Sequence, residues 1–455
     1  MQDPLAEDSP ARFGRRGLRA SSVGGYAIGD FANNLYWGGA SFFLFYWYTD
    51  VAGLAPKDAG LLLLAGSVFD ALTDPAVGLV ADRSRARGFT YRRFIAWGAA
   101  PLAFSFALLY WLPPLAGIEL VAALLAAQIL FRAAYSVVAV PYASLSARIT
   151  RSPRQRTVLS GARMMAAYGG GLVISAAGFP LARYFGAGDE RQGFFYFAAM
   201  AGVLAVVLHL VCVSLTPEAP QTSTRSARYT IRELLASALA KRSFLILLLA
   251  IPLFTAAGLV AIKCLVYYVK YGLDAHDQQE TVLLWHGIVT LLATPVWVMV
   301  SQRIGKRRCW GVATIAVSLA ALLAFIVEAS GVLQFLLSWL PMSAGLAAVG
   351  VLFWSMLPDA VDRPDAKRPA GGEAAFFGLA TFIQKVSIGL SAWLLGLGLS
   401  YAGFVPGGAQ SASTVVSIKS WMTLVPAALM CLSWLAMRRY PMDHEMDEPP
   451  PVRAG

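Results

Sequence analysis

Apolar runs long enough to cross a bilayer, about 20 residues each, recur along the whole chain. Twelve stand out, at 23–48, 59–81, 94–112, 117–146, 157–182, 192–215, 243–269, 279–300, 309–328, 332–357, 374–401 and 415–437. A lipid environment makes each a helix, because there is no water to satisfy an open backbone. An even number of spans returns both ends of the chain to one side. The longest polar connection, TPEAPQTSTRSARYTIRELLASALAKR at 216–242, falls between the sixth and seventh runs and divides the chain in two. The pattern predicts an all-α membrane protein with twelve transmembrane helices in two six-helix bundles, 23–215 and 243–437. An N-terminal tail (1–22), a central loop (216–242) and a C-terminal tail (438–455) lie on one side.

Composition strengthens this reading. The chain is 57% hydrophobic and 14% charged, whereas an average soluble domain carries roughly 25% charged residues. A large soluble enzyme is excluded. The net charge of +11 would suit a nucleic-acid partner, but its distribution does not. Of the 37 Lys and Arg, 28 lie in segments on the side of the termini, and Lys57, Arg183, Arg191, Lys270 and Lys419 lie opposite. Positive residues stay in the cytoplasm, so the termini are expected there and the basic balance reports topology. Residues 1–22 are polar and basic, without the apolar core of a signal peptide. Cys212, Cys264, Cys309 and Cys431 sit in separate apolar runs with no paired spacing, which predicts buried structural thiols.

A weak repeat links the halves. TDPAVGLVADR at 73–83 and ATPVWVMVSQR at 293–303 share Pro75/Pro295 and Arg83/Arg303 at the same spacing, and basic residues follow both. Twelve spans, a central loop and such a repeat fit a transporter of two repeats. Charge inside the spans points to its working parts. Asp70 and Asp74 are four residues apart, on one face of the second helix. A charge near the bilayer centre costs roughly 2.5–3.5 kcal/mol on insertion scales, so both should point into the protein, toward a cavity or an ion-pair partner. Paired hard oxygens suit a small cation, sodium or a proton, and their mutual repulsion when empty favours its capture. Asp30, with Asn33 or Asn34 and Trp37, makes one face of the first helix polar and aromatic. Arg132, Arg163, Lys263 and Lys385 are the intramembrane bases. Lys263 is the weakest candidate, able to snorkel outward. Glu119 and Glu328 sit near helix ends and are expected in solvent, and His209 and His286 are expected to be packed or interfacial.

GLVADRSRAR resembles the gating-loop motif of the major facilitator superfamily, with Gly78, Asp82 and Arg83 in its key positions. More specifically, GYAIGDFANNLYW, FYWYTDVAGL, FDALTDPAVGLVADRSRAR, VPYASLSARIT, RQRTVLSGARMMAAYGG and the spaced pattern from Asp359 to Lys385 resemble the glycoside–pentoside–hexuronide:cation symporters. The resemblance runs from about residue 24 to 437. It implies the major facilitator fold and transport without bond chemistry. It also implies a cation site of Asp70, Asp74, Thr73, Ser136, Lys385 and Thr381, with Asp70 and Asp74 on Na+ if the ion is sodium. Asp30 and Arg163 match residues that hold sugar hydroxyls, and Asn34, Trp37 and Arg132 join them as candidates. Two departures matter. The helix-four acid and the stacking Trp of the melibiose-carrying members fall at Ala139 and Ala143, while Arg132 adds a positive charge.

The expected protein is a multi-pass, monomeric symporter of the inner membrane, with no cofactor and no nucleic-acid partner. Its partners are a sugar, glycoside, uronate or other organic anion, a coupling cation (Na+ or H+) and membrane lipid. A carrier of a lipid-like or amphiphilic anion, and a membrane sensor that does not transport, are the alternatives. The set Asp30, Asp70, Asp74, Arg163 and Lys385 speaks against the sensor, which needs no coupling site.

Overall fold

The computed structural model describes residues 19–149, 153–218, 241–362 and 373–440. Most of the N-terminal tail, the central loop and the C-terminal tail lie outside these residues. Their long elements are all helices: α1 (Ala20–Tyr46), α2 (Pro56–Ala86), α3 (Tyr91–Leu109), α4 (Gly117–Ile149), α5 (Pro153–Gly186), α6 (Glu190–Leu215), α7 (Arg242–Tyr267), α8 (Gln279–Ile304), α9 (Lys306–Ile326), α10 (Val332–Asp362), α11 (Glu373–Tyr401) and α12 (Ala412–Met437). Ten of the twelve are long and apolar enough to cross a membrane. The other two are α1, diluted by Asp30, Asn33 and Asn34, and α3, which opens Tyr-Arg-Arg and has only 19 residues. The chain is thus a multi-pass membrane protein.

Local chemistry sets the helix ends. Thr90, Asp189 and Ser411 cap α3, α6 and α12, each side-chain oxygen accepting from a backbone N–H of the first turn. Gly305, at φ +83°, lets α9 follow α8 without a linker. Pro75, Pro101, Pro141, Pro180, Pro252, Pro295 and Pro426 all lie inside helices, as the packed surroundings of membrane helices allow.

Two compact units form. The first comprises residues 1–44 and 72–223. In it α3 packs on α4 and α6, and α5 on α6. Phe43 meets Phe179 and Phe197 edge-on, at 5.1 and 5.7 Å between ring centres. Buried phenols keep their polar tips satisfied: the Tyr110 and Tyr36 hydroxyls donate to the Gly39 and Gly202 carbonyls, at 2.8 and 3.2 Å.

The second unit comprises residues 45–71 and 224–455. In it α7 packs on α12 and α11, and α10 on α8 and α9. The early part of α2 lies close against α11. A Cβ added at Gly60 would sit 2.7 Å from the Trp393 Cα, and one at Gly396 would run into the Pro56 carbonyl oxygen.

Two expectations are corrected. Lys263 does not snorkel: it is 4% exposed, and its ammonium lies 5.5 Å from the centre of the Phe45 ring. Its neighbours from Val260 to Tyr267 are almost all buried, so that part of α7 offers no lipid-facing path. Cys431 of α12 is exposed, its sulfur 3.4 Å from the Ser318 hydroxyl of α9, whereas Cys212, Cys264 and Cys309 are buried thiols. Glu119 and Glu328 are exposed as expected. His209 and His286 are packed, against Asn33 at 3.1 Å and Ser343 at 2.8 Å.

Candidate functional site

In the first unit α1 and α5 bring Asp30 and Arg163 together. Arg163 Nε lies 3.2 Å from Asp30 Oδ2, with the carboxylate almost buried and the guanidinium half exposed. Tyr142 of α4 braces the pair. Its ring stacks on Tyr26 at 4.6 Å, its hydroxyl donates to the Tyr26 carbonyl at 2.6 Å, and the Arg163 guanidinium lies 5.9 Å from its centre. Asn34 is held one turn along α1 by donating to the Asp30 carbonyl at 2.8 Å. Asn33, the other candidate, faces His209. Two turns beyond Asp30, Trp37 lies 5.5 Å beneath the buried Arg132 guanidinium and 6.1 Å from the Tyr135 ring.

Asp74 belongs to the same unit, and Ser136 of α4 donates to its Oδ1 at 2.6 Å. The half-buried Thr73 and Gly78 flank it, and Arg83 is exposed at the end of α2. The side chain of Asp82 lies outside those described.

Asp70 belongs to the second unit. Its Oδ2 lies 2.8 Å from Lys385 Nζ, with the carboxylate 1% and the ammonium 16% exposed. Thr381 is half buried one turn earlier on α11. Carboxylate and ammonium neutralise each other away from water.

Two ion pairs of the second unit escaped the sequence reading. Lys306 Nζ lies 2.5 Å from Asp359 Oδ2 and donates to the Ser355 carbonyl at 3.0 Å. Lys270, read from the sequence as a loop charge, lies 2.7 Å from the fully buried Asp50 carboxylate. The acid of FYWYTDVAGL was visible, but its partner is 220 residues away, and no local signal spans that distance. Tyr142 was equally visible in VPYASL, one residue before the Ala143 that replaces the stacking Trp.

The arrangement has the chemistry of binding. Carboxylates can accept from hydroxyls, guanidinium groups can donate to oxygens, and Trp37 and Tyr135 carry aromatic faces. The chain was also compared with known proteins. Residues 25–444 match the family model described as MFS/sugar transport protein. The chain is 27% identical over 453 residues to an isoprimeverose transporter of Lactiplantibacillus pentosus, covering 97% of this chain and 94% of that one. It is 25% identical over 429 residues to a glucuronide carrier protein homolog of Escherichia coli (strain K12), covering 92% of each. A crystal structure of a D-xylose–proton symporter shares the fold at TM-score 0.72 and 15% identity, over 95% of this chain and all of that one. The chain belongs to the glycoside–pentoside–hexuronide:cation symporters of the major facilitator superfamily, and is a transporter, not an enzyme.

Proposed function

We propose that the protein is a cation-coupled symporter, carrying a sugar, glycoside or uronate across the cytoplasmic membrane by alternating access through twelve spans. One observation carries the coupling: each of the two carboxylates one turn apart on α2 has a partner suited to a cation site. Lys385 lies on Asp70, and the Ser136 hydroxyl lies on Asp74. With the site empty, the ammonium offsets the repulsion between like charges. Sodium or a proton binding to the carboxylates displaces it, the cargo then binds the loaded protein better, and the effect is reciprocal. Asp30 and Arg163 hold cargo hydroxyls, Trp37 provides a ring face, and Arg132 provides positive charge. Gly78, Asp82 and Arg83 form the latch at the end of α2.

The glucuronide carrier homolog among the relatives and the buried Arg132 over Trp37 favour a cargo with a carboxylate. The test is uptake into proteoliposomes with a panel of sugars, uronates and lysolipids, for the wild type and for Asp70→Asn and Asp74→Asn. Uphill accumulation of a sugar or uronate by the wild type, lost in both variants with insertion intact, is the expected result. Unchanged energised uptake in both variants removes the coupling role, and uptake of lysolipid alone changes the cargo.

A further inference from the structure

In the first unit α3 and α6 pack side by side, and the chain just beyond α6 returns to the start of α3. Glu218 accepts from the Tyr91 and Arg92 backbone N–H groups, at 3.1 Å each, and Thr90 Oγ1 accepts from that of Arg93 at 3.4 Å. The open amides of the first turn are therefore met from within the chain, and the helix end itself has no call on an anion. Further along, the two helices nearly touch: a Cβ added at Gly202 would lie 3.2 Å from the Ala103 Cβ. Two turns back toward the start of α3 there is room between them. A cavity of about 350 Å³ opens there, lined by Thr90, Arg92, Arg93, Ala96 and Val213.

The lining combines two guanidiniums with small aliphatic groups. Arg92 is half buried, and its Nε is shut off from water with no hydrogen-bond partner among the described residues. An unmade bond of that kind is costly, and an arginine that only snorkelled to the surface would place the group in water. Arg93 is exposed. Its Nη1 donates to the Gly88 carbonyl at 3.4 Å and its guanidinium lies 5.8 Å from the Phe89 ring centre, which leaves further donors of the five to spare. Glu218, the acid of this corner, is held on the backbone of α3, so two positive charges stand against one negative. Both helices carry exposed apolar faces beside the cavity. Trp97 and Phe104, two turns apart on α3, are 76% and 67% exposed, and Val203, Val207 and Leu210 form an exposed stripe along α6.

We propose that the cavity between α3 and α6 is a binding site for one anionic phospholipid of the leaflet that the start of α3 faces. The lipid phosphate accepts from Arg92, its Nε included, from Arg93 and from the Thr90 hydroxyl, and the acyl chains lie along the apolar faces of α3 and α6. Arginine suits this role because its planar fork meets two phosphate oxygens at once. A basic pocket between membrane helices at headgroup level favours an anionic lipid over a zwitterionic one. Free phosphate offers the same head chemistry but makes no use of the apolar faces beside the cavity. The site is independent of the cargo and of the coupling ion.

The test is quenching of Trp97 fluorescence in the purified full-length protein in phosphatidylcholine nanodiscs. Brominated phosphatidylglycerol or brominated phosphatidylcholine is added in rising proportion, and the Trp97 signal is the difference between each protein and the same protein carrying Trp97→Phe. The ratio of the two apparent affinities measures the preference. The wild type should favour phosphatidylglycerol by about fivefold or more. Arg92→Gln/Arg93→Gln should lose that preference, and so should Val213→Phe, which fills the cavity from α6 and keeps both charges. Arg307→Gln/Arg308→Gln, which removes equal charge at the start of α9, should keep it. A wild type without preference overturns the site, as does an equal loss in the α9 variant. Loss in the arginine variant with Val213→Phe unchanged assigns the preference to surface charge and overturns the cavity. Relief of quenching by inorganic phosphate, beyond that by chloride at equal ionic strength, makes the occupant a free ion and overturns the lipid.

Discussion

At the residue scale the site rests on charges whose partners differ in how legible they were. Lys385 follows a spaced motif, Gly-x-x-x-Phe-x-x-Lys, through which the resemblance assigns it to the cation site with the carboxylates of α2, and it lies 2.8 Å from Asp70. Ser136 was placed near the carboxylates of α2 on the same ground, and lies 2.6 Å from Asp74. Asp50 was quoted only as part of a motif, because nothing within its own helix marks an acid as paired or unpaired. The Asp70–Lys385 pair makes a stability prediction. Lys385→Met takes the ammonium away from a buried carboxylate, and breaking a buried pair by removing one partner costs about 3–5 kcal/mol. The variant should melt well below wild type in detergent, and Asp70→Asn/Lys385→Met should recover much of the loss. A single variant as stable as wild type argues against a buried charge at Asp70. Arg132 makes a specificity prediction. If its guanidinium receives the carboxylate of a uronate through paired hydrogen bonds, the wild type prefers the uronate to the neutral parent sugar, and Arg132→Gln loses most of that preference. Competition binding measures both, and a wild type that prefers the neutral sugar disposes of the anionic cargo.

At the element scale, hydrophobic runs located every long helix, because lipid leaves the backbone no other choice. They underestimated several ends. α2 continues to Ala86 and α10 to Asp362, past their apolar stretches, since a polar turn can extend a helix once it leaves the hydrocarbon. The π-helical turns that end α1 and α7, Trp47–Val51 and Tyr268–Gly272, were not legible, for WYTDV and YVKYG carry no residue that demands a wider turn. Once seen, they extend the internal repeat: Trp47 and Tyr268 open them 221 residues apart, and Pro75 and Pro295 stand 220 apart in α2 and α8. Helix contact in the second unit depends on small residues, as is common in lipid. Gly60→Val should therefore force the early part of α2 off the Ala392–Trp393 backbone. Overpacking of this kind typically costs about 1–3 kcal/mol. Gly258→Ala, in a part of α7 where an added Cβ meets nothing within 4 Å, should be neutral or gain up to about 1 kcal/mol of helix propensity. Thermal melting of the two variants side by side checks the contrast, and equal melting points would refute the close approach.

At the scale of the whole molecule, two properties depend on which side of the bilayer each element faces and on which ion turns the cycle. The excess of Lys and Arg in segments on the side of both termini predicts cytoplasmic tails. Reporter fusions at either end should be active only in the form that reads the cytoplasm, and an external N-terminus would invert the assignment. The ion follows from the oxygens around α2. Sodium is a hard cation that gathers several oxygens. Asp74 with the neutral hydroxyl of Ser136, beside Thr73 on the same helix, offers them, whereas a proton needs a single carboxylate. The expectation is therefore sodium coupling. In proteoliposomes an inward sodium gradient should drive accumulation at least tenfold above that driven by a pH gradient in sodium-free buffer. Ser136→Ala should separate the ions further. Losing a hydrogen-bonding oxygen at a charged centre costs about 1.5–3 kcal/mol, so half-maximal activation should need roughly tenfold more sodium or beyond. A proton carrier would keep its pH-driven uptake in the same variant, because a protonated carboxyl requires no further ligand. Equal driving by the pH gradient, together with an indifferent Ser136→Ala, would make the protein a proton symporter with the same fold and the same carboxylates.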